Sequence, residues 1–153
     1  MNTRRQYTAS AYTIDFKNHA ILLVYNTKLR KWLQPGGHIL DSELETPWDA
    51  AIRETKEETG VDIKVIGPVL NNHYQPIAVE HYSNSVGDMI DIQYLAEPCS
   101  TDFFSSPCIC WQDIFTIDFN LEIDSEIKEK SKSLYKEYQI GGNCYGEYKN
   151  RET

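Results

Sequence analysis

The hydrophobic positions along this chain follow two different periods. Alternating apolar and polar residues, or short continuous apolar runs, predict strands in five segments: 7–14, 20–25, 61–69, 88–97 and 108–118. The last of these is a short strand that leads into a turn. The stretch "NTKLRKWLQPGG" predicts a basic loop with a Pro-Gly-Gly break, and residues 70–87 predict strand ends joined by a flexible loop.

Two other segments have the helical period. The first begins at Thr46-Pro47, because threonine can cap free backbone N–H groups and proline suits the first helical position. Asp49 completes a capping box, and Gly60 ends the helix after about 12 residues. The second helix is predicted over residues 124–138. Its apolar stripe consists of Ile123, Ile127, Leu134 and Tyr138.

This order of elements predicts one α/β (α+β) domain over residues 1–140, in which helices pack against a mixed β-sheet. Neither internal repeats nor a linker divides this range. Residues 141–153 contain three glycines and show no period, so we expect an irregular C-terminal tail.

Composition and net charge restrict the expected cellular location of the protein and its expected binding partners. Hydrophobic residues make up 41% of the 153 positions, and no run approaches the roughly 20 apolar residues that span a membrane. The amino terminus has no apolar segment long enough for a secretory signal, so we expect a cytoplasmic protein without a membrane partner. A net charge of -8 argues against binding to polymeric nucleic acid, which requires a basic face.

The four cysteines form no CxxC pair and are Cys99, Cys108, Cys110 and Cys144. In a cytosol we expect them to be reduced thiols. The first three could in principle hold zinc, but their spacing is poor, so ordinary strand or loop positions are favoured.

Carboxylates cluster on the first predicted helix. Glu54, Glu57 and Glu58 share one face, with Glu45 just upstream, and like charges at this spacing repel by a few tenths of a kcal/mol per pair. The glutamates flank an apolar stripe expected to pack on the sheet, made of Trp48, Ala51, Ile52, Thr55 and Thr59. The cluster is either a solvated acidic patch or a site for Mg²⁺ or Mn²⁺, which prefer grouped oxygen ligands.

The residues around this cluster resemble a known motif. Gly37, Glu45 and the run 53–61, "RETKEETGV", are similar to the Nudix box, G-x5-E-x7-R-E-U-x-E-E-x-G-U, where U is aliphatic. Seven residues separate Glu45 from Arg53, as the motif requires. One departure is Thr55 at an aliphatic position, where its methyl group can partly substitute.

A second departure concerns the loop before the helix. Seven residues instead of five lie between Gly37 and Glu45. Glu43 would satisfy the glycine spacing but would then lie too far from Arg53. We therefore expect the loop "LDSEL" to bulge while Glu45 still reaches Arg53.

The resemblance implies a Nudix-type α/β/α sandwich with a mixed sheet, and hydrolysis of a nucleoside diphosphate linked to another group. It also implies that Glu54, Glu57 and Glu58 bind Mg²⁺ (or Mn²⁺), with the Gly36 carbonyl as a further ligand. The implied catalytic residues are Arg53, Glu54, Glu57 and Glu45, with Arg53 orienting the glutamates. The general base stays open between Glu54 or Glu57 and a later acid, namely Glu80, Asp88 or Glu97.

The substrate that the resemblance implies is a small nucleotide or another diphosphate, and no residue that binds it is assigned. Basic candidates for phosphate contact are Arg4, Arg5, Lys28, Arg30 and Lys31. Candidates for stacking on a base are His73, Tyr74, His81, Tyr82, Phe103 and Phe104, although core or strand-edge roles are more common for such residues. His38 follows Gly37 and points either at the site or into the core.

Three alternatives to a hydrolase remain. A non-catalytic nucleotide or metabolite sensor on a Nudix scaffold is the main one, although such proteins often lose the box glutamates that this chain keeps. An isopentenyl diphosphate isomerase would need a catalytic cysteine, and no cysteine here is suitably placed. A structural domain with an acidic surface patch is the third. Either a monomer or a homodimer is compatible with the sequence.

Overall fold

The computed structural model describes residues 5–84 and 87–139. Arg4, Cys144 and the tail expected over 141–153 lie outside these residues. The strands are β1 (Gln6–Asp15), β2 (Ala20–Asn26), β3 (Lys31–Leu33), β4 (Gly36–His38), β5 (Ile63–Ile66), β6 (Val69–Leu70), β7 (His73–Tyr74), β8 (Ala78–Asn84), β9 (Gly87–Pro98) and β10 (Ile109–Asp113). The helices are α1 (Pro47–Thr59) and α2 (Ser125–Gln139).

A mixed sheet forms the centre of the fold. Its main order is β10-β2-β1-β9-β5, with β3 beside β2, β4 beside β1 and β8 beside β9. The long central strands β1 and β9 run parallel. Along its other edge β1 changes partner: Thr8–Ser10 pairs with β4, whereas Ile14 and Asp15 pair with β2. The Pro-Gly-Gly turn therefore sits where this edge of the sheet changes partner.

The two helices cover opposite faces of the sheet. On one face, Ala9 and Ala11 of β1 pack with Ala50 and Ala51 of α1, all fully buried. On the other face, larger side chains of the sheet pack with Ile127, Leu134 and Tyr135 of α2. This is the α/β/α sandwich expected from the sequence. Because the alanines are small, the α1 backbone lies close to the sheet, and its polar edge reaches β4.

Both ends of α1 follow the sequence signals. The Thr46 hydroxyl accepts a hydrogen bond from the Asp49 backbone N–H at 3.2 Å. Gly60 adopts φ 81°, a left-handed conformation suited to glycine, and its N–H donates to the Lys56 carbonyl at 2.9 Å. The helix has 13 residues, close to the length expected. Thr55 is buried and donates its hydroxyl to the Ala51 carbonyl at 2.7 Å, so its polar group is satisfied within the helix.

Some strands differ from the sequence expectation. β3 and β4 were expected as loop, since three-residue strands show no period; they form because β2 and β1 offer unpaired edges. β8 was also expected as strand ends and loop, but it pairs with β9 as an exposed edge strand. The predicted strand 61–69 is divided at Gly67: β5 joins the main sheet, and Val69 instead pairs with β7.

Neither helix in the described ranges has the length and apolar character needed to cross a membrane.

Removing the Thr46 cap tests how α1 is held. Thr46→Ala leaves an unpaired N–H at the helix start and should lower the free energy of unfolding by about 1 kcal/mol. Thr46→Ser keeps the hydroxyl and should stay within a few tenths of a kcal/mol of wild type. Urea unfolding of the three proteins measures the difference, and an equal loss in both variants would contradict the capping role.

Candidate active site

The Arg53 side chain connects Glu45, in the loop before α1, with the carboxylates on α1. Its Nε donates to Glu45 Oε2 at 2.8 Å, and Nη2 donates to Glu45 Oε1 at 3.0 Å. Nη1 donates to Glu54 Oε1 at 2.9 Å and to Glu57 Oε2 at 3.2 Å. Nη2 also donates to the His38 carbonyl at 2.9 Å, which ties α1 to the end of β4.

The loop before α1 bulges as expected. Residues Asp41–Glu43 form a single 3-10 turn, and Leu44 follows in a left-handed conformation with φ 55°. The extra length is absorbed there, so Glu45 reaches Arg53 and also accepts from the Leu40 N–H at 3.1 Å. The expectation that Glu45, and not Glu43, pairs with Arg53 is confirmed.

The Arg53–Glu45 pair is largely shielded from solvent. The Glu45 side chain is only 12% exposed. The hydrogen bond from Arg53 is the main cause that holds the pKa of Glu45 below its usual range, opposed by burial and assisted by the Leu40 N–H. The same hydrogen bond raises the pKa of Arg53, so this guanidinium is permanently charged.

Glu58 lies in a different environment. Burial, followed by the nearby Glu54 and Glu57 carboxylates, raises its pKa to about 7, although a backbone hydrogen bond with Gly36 opposes the shift. Its side chain lines a cavity beside Gly36. Near neutral pH this carboxyl is therefore easily protonated, and a positive charge placed beside it would favour the ionised form.

Glycine is required at two adjacent positions of β4. An ideal Cβ on Gly37 would lie 2.4 Å from Glu54 Cδ, and one on Gly36 would lie 2.6 Å from the Ala9 carbonyl oxygen. Any side chain at Gly37 would displace the Glu54 carboxylate. The glycines thus let the α1 carboxylates lie directly against the β4 backbone.

These residues fit a divalent cation by their chemistry. Glu54, Glu57 and Glu58 supply hard oxygen atoms on one side of α1, and Arg53 balances only part of their charge. Within residues 5–84 and 87–139, however, no three acidic, histidine or cysteine side chains converge as a formed metal cluster. The reason is visible in the contacts: Glu54 and Glu57 are turned to Arg53, whereas Glu58 is turned to Gly36.

The later acids proposed as a general base occupy other places. Glu80 contacts Lys130, which also bonds to Glu126 on α2. Asp88 accepts from the Ser83 hydroxyl at 2.7 Å on the exposed β8–β9 edge. Glu97 lies opposite Lys64 where β9 pairs with β5.

The other sequence candidates are dispersed. Lys31 pairs with Asp124 at 2.7 Å, whereas Arg5, Lys28 and Arg30 are exposed. His73 and Tyr74 pack edge-on against Trp48, so they support the start of α1. Phe104 packs against Gly60, and Phe103 is exposed. The His38 ring is exposed and bonds to Gln6 at 2.7 Å, so only its carbonyl contacts Arg53.

Two open cavities lie beside Gly36 of β4. One, of about 380 Å³, includes Glu58, Gly36 and the start of β10. The other, of about 290 Å³, includes Gly37, Tyr82 and Asp91. Leu33, Gln34 and Gly36 line both. Of these residues, the sequence analysis singled out Gly36, Gly37, Glu58 and Tyr82. It missed Gln34 and Asp91. Asp91 could have been found, because an acidic residue at an inward position of an alternating strand is unusual.

Comparison with known proteins decides the family. The model of the NUDIX domain family matches residues 4–104. The chain belongs to the NUDIX domain family. The match covers Gly36 and Gly37, Arg53 with the glutamates that it contacts, and the strands that line the second cavity. A comparison with curated protein sequences gives no significant match.

Solved structures with the same fold include Nudix hydrolases. A NUDIX-family hydrolase from Clostridium perfringens has a TM-score of 0.77 at 23% identity, covering 89% of this chain and 99% of that one. The Ap4A hydrolase of C. elegans has a TM-score of 0.62 at 20% identity, with coverages of 86% and 98%. A MutT protein from Methanosarcina mazei Go1 has a TM-score of 0.65 at 17% identity, with coverages of 91% and 99%. At these identities the likeness shows a shared Nudix fold.

Neutralising Glu45 tests the pair at the loop. Glu45→Gln removes charge-assisted hydrogen bonds from a shielded position, so the free energy of unfolding at neutral pH should fall by about 2 kcal/mol. Glu43→Gln, two residues earlier in the same bulge, should change it by less than about 0.5 kcal/mol. Urea unfolding measures both, and a larger loss in the Glu43 variant would reverse the assignment.

The same pair predicts a pH dependence. Since Arg53 lowers the pKa of Glu45 in the folded state, the pair stabilises the protein above the unfolded pKa of about 4.3. This stabilisation is lost as the pH falls through the lower, folded pKa. The stability difference between wild type and Glu45→Gln should therefore be largest near neutral pH and shrink below about pH 4. A difference that stays constant with pH would contradict this origin.

Proposed function

We propose that this Nudix-family protein hydrolyses a diphosphate linkage in a nucleoside diphosphate derivative, with Mg²⁺ (or Mn²⁺) as its cofactor. The observation that carries the proposal is the Arg53-ordered set of glutamates packed against Gly36 and Gly37, between two cavities large enough for parts of a nucleotide. The fold shared with an Ap4A hydrolase and a MutT protein supports a small nucleotide derivative as the substrate class.

Glu54, Glu57 and Glu58 would hold the cation, together with the Gly36 carbonyl. When bound, the cation neutralises diphosphate oxygens and favours attack of water on phosphorus. The protein supplies the arrangement. Glu45 fixes the Arg53 guanidinium, and Arg53 in turn holds one oxygen each of Glu54 and Glu57.

A carboxylate must also accept the proton of the attacking water. Position favours Glu54 or Glu57 over the later acids, because both lie on the α1 edge with the proposed cation ligands, whereas Glu80 contacts Lys130 of α2, Asp88 lies on the exposed β8–β9 edge and Glu97 lies opposite Lys64. Both Glu54 and Glu57 have a second carboxylate oxygen that Arg53 does not contact. A cytoplasmic location, and a monomer or homodimer, stay predictions of the sequence.

One assay tests the proposal. Purified protein is incubated with Mg²⁺ and a panel of NTPs, dNTPs, ADP-ribose, NADH, sugar nucleotides and dinucleoside polyphosphates. We expect release of phosphate, pyrophosphate or a nucleoside monophosphate from at least one member, and complete loss of turnover in EDTA. Folded protein that cleaves no member would overturn the hydrolase proposal and favour a non-catalytic sensor.

A charge-neutralising variant tests the residue assignment. Glu57→Gln should lower kcat by at least about a hundredfold and abolish the rise in Tm that Mg²⁺ causes in wild type. Glu43→Gln, an exposed acid outside the Arg53 cluster, should keep both. Wild-type turnover in the Glu57 variant would show that the cation is held elsewhere.

A further inference from the structure

The second cavity contains a buried carboxylate that is held only by neutral groups. Asp91 is 9% exposed and lines the cavity with Tyr82 and Gln34. The Thr8 hydroxyl donates to Asp91 Oδ1 at 2.9 Å, and the Ser10 hydroxyl donates to Oδ2 at 2.8 Å. Within the described residues, no lysine, arginine or histidine pairs with this carboxylate. Its charge is therefore available to a ligand that enters the cavity.

A chain of hydrogen bonds fixes which side of Asp91 is free. Lys130 can only donate, and its Nζ bonds to Gln93 Oε1 at 2.9 Å, so the Gln93 amide must present its Nε2 to Asp91. That Nε2 donates to Asp91 Oδ2 at 3.1 Å. Oδ2 thus accepts two hydrogen bonds, whereas Oδ1 accepts one. The remaining acceptor capacity of the carboxylate lies on Oδ1.

Gln34, beside Ser10, has an unsatisfied amide oxygen that is not exposed to the cavity. The Ser10 hydroxyl uses its proton on Asp91, so Ser10 Oγ can only accept, and it does so from Gln34 Nε2 at 3.5 Å. This orients the Gln34 amide with Oε1 pointing away from Ser10. Among the described residues, Gln34 Oε1 is buried and has no hydrogen-bond partner, an arrangement that costs free energy. Because this oxygen has almost no accessible surface, a ligand in the cavity contacts the Asp91 carboxylate and not Gln34 Oε1.

The cavity is large enough for a nucleobase. Its volume is about 290 Å³. Tyr82 is 46% exposed at this cavity and can present its ring for stacking. Gly36 and Gly37, which contact the α1 carboxylates, form part of the same wall, so a base in the cavity would place its phosphates toward those carboxylates.

From this acceptor we infer that the substrate carries a nucleobase with an exocyclic amine, recognised by Asp91 Oδ1. Adenine, guanine and cytosine carry such an amine, whereas uracil and thymine can donate only from the ring N3–H, which lies between two carbonyl oxygens that would face the carboxylate. A carbonyl oxygen facing Asp91 would leave two acceptors opposed and unpaired. The inference rests on the proposed function for the placement of the phosphates, and on Asp91 for the choice of base. Gln93 and Lys130 are positioning residues in this arrangement.

Binding of nucleoside monophosphates tests the inference without catalysis, because these ligands have no diphosphate linkage to cleave. Isothermal titration calorimetry on wild-type protein compares three matched pairs: GMP with IMP, AMP with purine riboside 5′-monophosphate, and CMP with UMP. In the pair that contains the tightest ligand, loss of the amine should weaken Kd by about ten- to a hundredfold. Equal affinity within that pair, or tightest binding by UMP, would overturn the inference.

Asp91→Asn replaces one carboxylate acceptor by a donor and gives a second test. It should weaken the amine-bearing ligand by at least about tenfold and UMP by less. Asp88→Asn makes the same change three residues earlier on β9, where the side chain bonds to Ser83 outside the cavity, and should bind like wild type. Unchanged affinity in a folded Asp91 variant would contradict the inference; if that variant does not fold, the ligand pairs on wild type decide.

The outcomes separate the two proposals. Amine-dependent binding without hydrolysis of any panel member would sustain the base assignment and overturn the proposed hydrolase function. Hydrolysis of a panel member without any amine dependence would sustain the hydrolase function and overturn the base assignment.

Discussion

The charge balance around Arg53 is the interaction on which the rest of this structure depends. One guanidinium contacts Glu45, Glu54 and Glu57, and Glu58 lies nearby against Gly36. Arg53 reduces the repulsion on α1 but cannot remove it: burial is the main cause of the raised pKa of Glu58, and the Glu54 and Glu57 carboxylates raise that pKa further. A divalent cation would complete the balance. The repulsion in the free protein is thus the physical basis of the proposed affinity for metal.

The fold places this cluster through close backbone approach. Alanines on β1 and α1 let the helix lie near the sheet, and Gly37 lets Glu54 lie against β4. Because β1 pairs first with β4 and then with β2, Gly36 of β4 lies between the two cavities and lines both. The carboxylate edge and the Asp91 cavity therefore share one wall, so a base and its phosphates could be bound together.

Local signals made α1 and its contacts predictable. The cap at Thr46, the end of the helix at Gly60 and the spacing from Glu45 to Arg53 act over short distances, and the structure confirms each of these predictions. Pairing between distant segments was not predictable in this way. β3, β4 and β8 exist because longer strands offer them an edge, and Asp91 meets Thr8 and Ser10 only after β1 and β9 pair. The cavity beside Asp91 was accordingly missed, although the carboxylate helix was found.

Binding of Mn²⁺, followed by electron paramagnetic resonance of the free ion, tests the central claim most directly. Wild-type protein should take up Mn²⁺ saturably at neutral pH, and Mg²⁺ should compete for the same site. Glu57→Gln should weaken this uptake by at least about tenfold, and Glu43→Gln should leave it unchanged. Equal uptake by wild type and the Glu57 variant, or none by either, would contradict a cation site built on the Arg53-ordered glutamates.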